Sequence, residues 1–564
     1  MEQNWKISPI IPPEISTKLS AFPPIMRQLL FNRGLTTDDA ARKFLRAQVD
    51  FDTSPGLLMG MNRLVERVFL AKQNKEKVAI YGDYDVDGVT STTLLVEALG
   101  LLGLDVREYI PNRFEEGYGL NNEALTYLKA EGISLVISVD CGIRSIAEAE
   151  HATKIGLDLI ITDHHDPGDV IPVAYAVINP KQSGDLYPEK SLAGVGIAYK
   201  VAVALAEQSV KQEGVLPYDP TEFLDLVALG TVADVAPLRG ENRQLVRRGL
   251  RRLRVTQRQG IAALAAVADV KLSKATATTI GFSLAPRLNA AGRLESALLS
   301  FYLLSTKDIA LAGELAQKLN VRNNERQKIT RDIQEKALEL ATQQQSNPNL
   351  LFAVSTEFNH GIVGLAASKL CETFYRPAIV GAYDEKEGTT RCSCRSIPEY
   401  HLSNALDRMS HFFIKYGGHA AAAGFTIAND KLEDFKACIN ADVAERLPED
   451  LARTVRVDLE VELSDLTLET VEHLEYFQPT GQENPDAVFV SRNVEVRGKR
   501  TVGADGKHLK LTLSSGRGPV DAIGFNFGHL ASSLPKRIDI LYALEINEYN
   551  GVSNLQLKLK DIKF

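Results

Sequence analysis

Cysteine is scarce in this chain of 564 residues: the five thiols, Cys141, Cys371, Cys392, Cys394 and Cys438, are odd in number and scattered. That pattern excludes a disulfide framework and fits a reducing compartment. The Cys392-x-Cys394 pair lacks a second thiol or histidine pair at a zinc spacing, so it reads as two side chains alternating within a strand. Long hydrophobic runs are missing as well. No apolar stretch approaches the roughly 18 residues of a membrane span, and Met1 opens no basic, apolar leader. The chain is expected in the cytoplasm, with no membrane partner. Excess charge is modest. A net −8 argues against indiscriminate nucleic-acid binding by the whole surface, yet leaves room for a local basic groove.

Hydrophobic residues at 45% and charged residues at 24% are globular values. Single cores stop growing at roughly 250 to 300 residues, so the length calls for several domains. From Lys77 to Lys181, strand-like runs (78–82, 106–110, 135–139, 158–162, 174–178) alternate with helical patterns at Thr92–Leu102, Asn122–Ala130 and Ser145–Ile155. This βαβ order predicts a largely parallel sheet. Residues 1–75 read as a helical leader, broken at Pro12-Pro13 and Pro23-Pro24, with a short helix over Asp38–Leu45. The stretch 190–345 reads as mostly helical and ends in a long polar-rich pattern over Ala310–Gln343. A second α/β pattern begins at Leu350, with strands 350–355, 377–382 and 389–395 and helices 362–374 and 403–415. After Pro448 the texture turns to short alternating strands, with Asn550-Gly551 as a hairpin turn, which predicts an OB-type β-barrel.

The chemistry gathers at the expected strand ends, where open α/β sheets bind ligands. Asp83-Tyr-Asp85-Val-Asp87-Gly88 follows the first strand, Asp140-Cys-Gly142 the third and Asp163-His164-His165 the fourth. In an extended segment Asp83, Asp85 and Asp87 would point to one side, and their repulsion would call for cations. Carboxylates with a minority of imidazole suit Mg²⁺ or Mn²⁺, in a two-metal centre that acts on phosphate esters. Asp234, in Gly230-Thr-Val-Ala-Asp234-Val, is expected at a comparable strand end or turn. Taken one at a time these are Asp-rich turns and capped strand ends; together they favour the metal reading.

Weaker signals point to phosphate. Gly417-Gly418-His419 is either a glycine turn opening a strand or a place where backbone N–H groups approach an anion. Ser393, Arg395 and Ser396 lie near a strand end, and Arg287 and Arg293 flank an expected turn in Leu284–Arg293. Arg243 to Arg258 holds seven arginines and no acid. Solvated helix faces normally mix signs, so this face points to nucleic acid.

Tyr81–Gly88, Val139–Gly142, Asp163–His165, Leu192-Ala-Gly-Val-Gly196, Ala228–Pro237 and Gly417–His419, in this order, resemble the DHH phosphoesterase superfamily and, within it, the RecJ-type single-stranded-DNA-specific exonucleases. The resemblance covers most of residues 50–564. It implies an α/β fold: a parallel-sheet DHH domain and an α/β DHH-associated domain facing each other across a cleft, a long connecting helix that includes Gln317–Lys328, and a C-terminal OB-fold. The corresponding segments are 1–75 (leader), 76–245 (DHH), 246–345 (helical region and connector), 346–448 (DHH-associated) and 455–564 (OB). It further implies that Asp83, Asp85, Asp87, Asp140, His164 and Asp234 ligate two Mn²⁺ or Mg²⁺ ions, with Asp163 in support and His165 on the scissile phosphate. Arg113, Arg287, Ser393, Arg395, Gly417, Gly418 and His419 would hold DNA phosphates. The implied activity is 5′-to-3′ hydrolysis of single-stranded DNA to 5′-mononucleotides in repair and recombination. A single-strand-binding protein and a DNA helicase are the implied partners. The rivals are a DHH phosphodiesterase on short oligoribonucleotides and a non-catalytic replication scaffold. The family's Trp-His-x-Gly-Val-Val-Gly reads Phe358-Asn359-His360-Gly361-Ile-Val-Gly364 here, which displaces its histidine by one place.

Overall fold

The computed structural model describes residues 3–46, 53–112, 116–117, 119–294, 296–343, 349–448, 451–549 and 552–564. The chain divides into two compact units: Trp5–Asn289 with Ala297–Ala316 and Val455–Phe564, and Met1–Asn4 with Ala290–Ser296 and Gln317–Thr454.

The larger unit holds an all-parallel sheet in the order Asp105–Tyr109, Lys77–Gly82, Ile133–Val139, Asp158–Thr162, Ala176–Ile178. Its central strands are apolar on both faces, with Val78, Ala79, Ile80 and Tyr81 all buried, as a sheet covered on both sides requires. The helices Val86–Leu101, Gly194–Glu213 and Leu224–Ala233 pack mutually beside it and are buried over most of their circumference.

The same unit contains the barrel. Phe489–Val502, His508–Ser514, Pro519–Gly524, Val552–Lys563 and Arg537–Tyr549 pair in succession, and the last closes on the first. Strand alternation fills its interior: along His508–Ser514 every second residue is buried. The expected turn at Asn550-Gly551 lies outside the described residues. The leader is more than a run of helices. Gln3–Ile7 is a strand, and the helices Pro24–Asn32 and Asp38–Arg46 put Leu29, Leu30, Ala41 and Leu45 into one core with Phe489, Leu511 and Tyr542 of the barrel.

The smaller unit is a mixed sheet in the order Phe413–Gly418, Ala422–Ala428, Thr389–Arg395, Ala378–Asp384, Leu351–Ser355. Only the last pair is parallel. The helices Val363–Phe374 and Leu432–Arg446 contribute Ala366, Leu370, Phe435 and Ile439 to its core. Cys392 and Cys394 are both buried in the Thr389–Arg395 strand, as a plain strand reading requires. The helix expected over 403–415 stops at Arg408. Phe412-Phe413-Ile414 is aromatic and β-branched and turns into a strand, so Gly417-Gly418 ends a strand instead of opening one. The long helix runs over Ile309–Gln343.

Candidate metal centre

The Lys77–Gly82 strand delivers Asp83, and the chain then turns at once into the Val86–Leu101 helix. Asp85 is the N-cap, accepting from the N–H groups of Asp87 at 2.9 Å and Gly88 at 3.1 Å. The three aspartates therefore do not lie along an extended segment. Capping bends the backbone, and the carboxylates converge through a strand–turn–helix. Asp87 is buried, and its oxygens accept from the N–H groups of Gly194 (2.7 Å) and Val195 (2.8 Å), at the start of the Gly194–Glu213 helix. Such a helix terminus stabilises negative charge.

Asp140 follows the Ile133–Val139 strand with a left-handed φ of 61°, which turns its carboxylate out of the strand path. Asp163 uses both oxygens internally: Oδ2 accepts from the Ile143 N–H at 2.9 Å, and Oδ1 from the N–H groups of His164 (2.7 Å) and His165 (3.1 Å). Its Oδ1 also lies 2.7 Å from His165 Nδ1. Asp163 is thus a positioning group for both histidines. Asp234 is at a turn, as one of the two expected placements had it, and not at a strand end: it is the C-cap of the Leu224–Ala233 helix, where the chain turns through the left-handed Val235.

These side chains meet. Asp83, Asp85 and Asp140 offer oxygens within 4.8 Å of one another; Asp87, His164 and Asp234 bring their ligand atoms equally close, as do Asp140, His164 and His165. His164 Nε2 lies 3.0 Å from Asp140 Oδ1 and 3.8 Å from Asp87 Oδ2 and from Asp234 Oδ2. Burial, reinforced by the neighbouring carboxylates, holds Asp87 and Asp140 well above the usual carboxylate range. Burial and Asp85 lift Asp234 to about 7. Burial and His165 push His164 down to about 4, so its imidazole is neutral. At His165 burial acts downward too, but the Asp163 carboxylate outweighs it and raises the group to about 9.

A divalent cation fits this arrangement. Asp140 Oδ1 and His164 Nε2 are buried and face each other at 3.0 Å, yet neither makes a hydrogen bond. A buried polar pair in that state is costly, and a cation between carboxylate and neutral imidazole removes the cost. The donor set, five carboxylates and one imidazole with no thiolate, suits Mn²⁺ or Mg²⁺.

Three supporting roles were not assigned from the sequence. Asn289 Oδ1 accepts from the Val86 N–H at 3.1 Å, Asn179 Nδ2 donates to the His165 carbonyl at 2.8 Å, and Gly194 gives Asp87 its N–H. Asn179 follows the last parallel strand, so its strand-end position was a usable signal. Asn289 carried none, because its helix, Ala285–Leu294, replaces the turn expected between Arg287 and Arg293. The chain is already helical from Ala277, with a π-helical stretch over Ile280–Leu284 just before Pro286 that accommodates its missing N–H, and the following Asn-Ala-Ala continues the helix. Arg287 lies on that helix, with Nη1 donating to the Ser283 carbonyl at 2.6 Å. Arg113 lies outside the described residues, as does the Arg293 side chain.

The remaining phosphate candidates belong to the smaller unit and gather at one end of its sheet. Gly417 pairs with Gly424, which pairs with Ser393; Gly418 pairs with Ala423, and Ala422 with Arg395. Arg395 Nη1 donates to Ser393 Oγ at 3.1 Å, and the His419 N–H donates to the Ala422 carbonyl at 2.8 Å. Gly418 has φ 143°, and a Cβ there would lie 2.4 Å from Ala423 Cα, so only glycine fits. Asn359, where the family pattern has histidine, is exposed and closes its own turn: its Oδ1 accepts from the Gly361 N–H at 2.8 Å.

Three family models match: the DHH family N-terminal domain over 77–231, the DHHA1 domain over 347–445 and the RecJ OB domain over 457–561. The single-stranded-DNA-specific exonuclease RecJ of Bacillus subtilis is 39% identical over 541 residues, 95% of this chain and 68% of the relative. The Escherichia coli protein of the same name is 36% identical over 96% of both chains. The chain belongs to the RecJ family. The crystal structure of RecJ from Thermus thermophilus in complex with Mn²⁺ superposes on this RecJ-family chain with a TM-score of 0.85 at 29% identity, covering 100% of this chain and 79% of that one. The Mg²⁺ complex gives 0.78 at 28% identity, covering 100% and 78%. Both are cations that suit the donor set.

Proposed function

We propose that this chain is a metal-dependent exonuclease specific for single-stranded DNA, working 5′ to 3′ and releasing 5′-mononucleotides. The observation that carries the reading is the buried carboxylate–imidazole cluster at the parallel strand ends, in a chain similar over 95 to 96% of its length to single-stranded-DNA-specific exonucleases. Asp83, Asp85, Asp87, Asp140, His164 and Asp234 would hold two Mn²⁺ or Mg²⁺ ions. When bound, such ions lower the pKa of water and neutralise phosphoryl oxygens.

The chain's own residues do the rest. Asp163, 2.7 Å from His165 Nδ1, favours the protonated imidazole, which would donate an N–H to an oxygen of the scissile phosphate. Gly194 and Val195 fix the Asp87 carboxylate, and Asn179 fixes the His165 backbone. Ser393, Arg395, Gly417, Gly418 and His419 form the phosphate-holding end of the smaller unit's sheet, with Arg287 and Arg113 as further phosphate ligands. A site that ends at a 5′ phosphate accepts only a chain end, which sets the polarity.

In this reading, residues 76–245 carry the chemistry, 346–448 position the end and 455–564 bind the strand, supported by 1–75 and 246–345. Repair and recombination, with a single-strand-binding protein and a helicase as partners, is the setting we infer, in the cytoplasm. Among the described residues no helix is long and apolar enough to cross a membrane.

The test is Mn²⁺-dependent digestion of single-stranded DNA labelled at the 5′ or the 3′ end, beside blunt duplex and short RNA. Immediate release of 5′-labelled mononucleotide with duplex resistant is the expected result. Cleavage of short RNA alone would replace this reading with the oligoribonucleotide phosphodiesterase, and failure to cleave with no metal bound would replace it with the scaffold.

A further inference from the structure

The arginine run at 243–258 divides into two groups. Arg243 is buried and donates to the carbonyls of Tyr476, Phe477 and Pro479 at 2.8 to 3.1 Å. Arg254 donates to the Ala275 carbonyl, and Arg258 pairs with Glu97 and Asp225. Arg252 reaches Glu222 at 3.4 Å. These four tie the Gly240–Leu253 helix and the segment after it to their surroundings. Arg247, Arg248 and Arg251 line one cavity of about 650 Å³, and Arg247 belongs to both groups, since its Nη1 also donates to the Leu45 carbonyl.

Across the cavity the leader supplies Arg42 and Arg46, and the segment before the barrel supplies His473 and Tyr476. Five guanidinium groups thus converge, and among the described residues no carboxylate lines the cavity. Asp38, which pairs with Arg42 at 2.6 Å, stands outside the lining. Crowding is evident at Arg247, where burial and the Arg251 charge both disfavour the protonated guanidinium. Phe22 and Tyr476 add aromatic surface beside the charges. Clustered guanidinium forks with interleaved aromatic rings are what a phosphodiester backbone and its unpaired bases require.

We propose that this cavity is a second single-stranded-DNA contact, gripping backbone phosphates with Arg46, Arg247, Arg248 and Arg251 and a base on Tyr476. None of its lining residues belongs to the metal centre. The inference rests on the reading of the substrate as single-stranded DNA, and it adds a grip on that strand away from the cleaved end.

The experiment is equilibrium binding of a fluorescent oligothymidylate in EDTA, which prevents cleavage, at a series of salt concentrations. Wild type, Arg251→Gln, Arg248→Gln/Arg251→Gln and Arg251→Lys are compared. Arg251 is exposed, so its replacement leaves the core intact. The glutamine variants are expected to bind several-fold more weakly at low salt, with the logarithmic salt slope reduced by about 0.7 for each phosphate left without its guanidinium, and the lysine variant to keep the wild-type slope. Unchanged affinity and slope in the double variant, with wild-type binding intact, would overturn the cavity assignment alone. Absence of wild-type binding would overturn the substrate reading with it. If an Asp/Glu-rich peptide binds, and Arg251→Gln abolishes that while DNA binding is unchanged, the cavity serves a protein partner and the proposal is wrong.

Discussion

Gly194 stands where a methyl group has no room: a Cβ there would lie 2.8 Å from Asp140 Cβ and Oδ1. Its N–H also holds Asp87. Gly194→Ala should therefore displace one or both carboxylates and cut cleavage by about 10²-fold, since misplacing catalytic groups by an ångström costs that much. Single-turnover cleavage with circular dichroism alongside checks it; a fully active variant would show that the helix start has slack. Asp140→Ala removes the carboxylate that joins the aspartate and histidine groups. Cleavage should disappear while metal-free binding of single-stranded DNA persists. Saturating Mn²⁺ should raise the melting temperature of wild type, by about 2.7 kcal/mol of stability at a hundredfold excess over Kd, and should leave the variant unmoved. Mn²⁺-dependent cleavage retained by the variant would contradict the site.

At the scale of elements, Asp442 on the Leu432–Arg446 helix carries much of the polar bracing of the smaller unit. It accepts from Tyr400 Oη at 2.6 Å, Arg408 Nε and Nη2 at 3.0 and 2.7 Å and Arg446 Nε at 3.0 Å. Burial pushes its carboxyl up, but these donors win and hold it below the ordinary value. The sign follows: a depressed folded pKa contributes stability above the unfolded pKa of roughly 4, and that stability is lost as pH falls through the folded value. Asp442→Asn should cost about 2 kcal/mol at pH 7, the worth of hydrogen bonds to a charged group, and the gap to wild type should narrow below pH ~4. Urea titrations of both proteins at the two pH values measure it; a pH-independent gap would mean that the carboxylate charge is irrelevant.

At the scale of the molecule, the leader and the barrel share one hydrophobic core. Leu30 is fully buried in the core that contains barrel residues Phe489 and Tyr542. Trp5, the one tryptophan, packs on Val457, Val490 and Leu541 and donates to Asp561 Oδ2 at 2.8 Å. Leu30→Ala should cost about 2 to 5 kcal/mol. Trp5 is itself a leader residue and packs on barrel residues Val490 and Leu541 in a cluster apart from the one that holds Leu30, so if leader and barrel unfold together its fluorescence transition should move to lower denaturant in this variant. A transition that stays in place would show the two clusters to unfold independently.

The strands of the parallel sheet were legible in the sequence because a strand covered on both faces is a continuous apolar run whatever its neighbours are. Asp83, Asp140 and Asp163-His-His165 were legible for the same reason: strand ends mark themselves. Tertiary structure alone decided four things. Asp163 became a positioning group because the Ile143 N–H reaches it from another loop, and Asp87 was fixed by a helix start more than a hundred residues away. The leader joined the barrel because apolar faces at opposite chain ends cover each other. The arginine run split into structural and cavity-lining members, with Arg247 in both, according to which carbonyls and carboxylates lay opposite. Local pattern sets what an element is and where it stops; which distant group satisfies its polar atoms is set only when the elements pack.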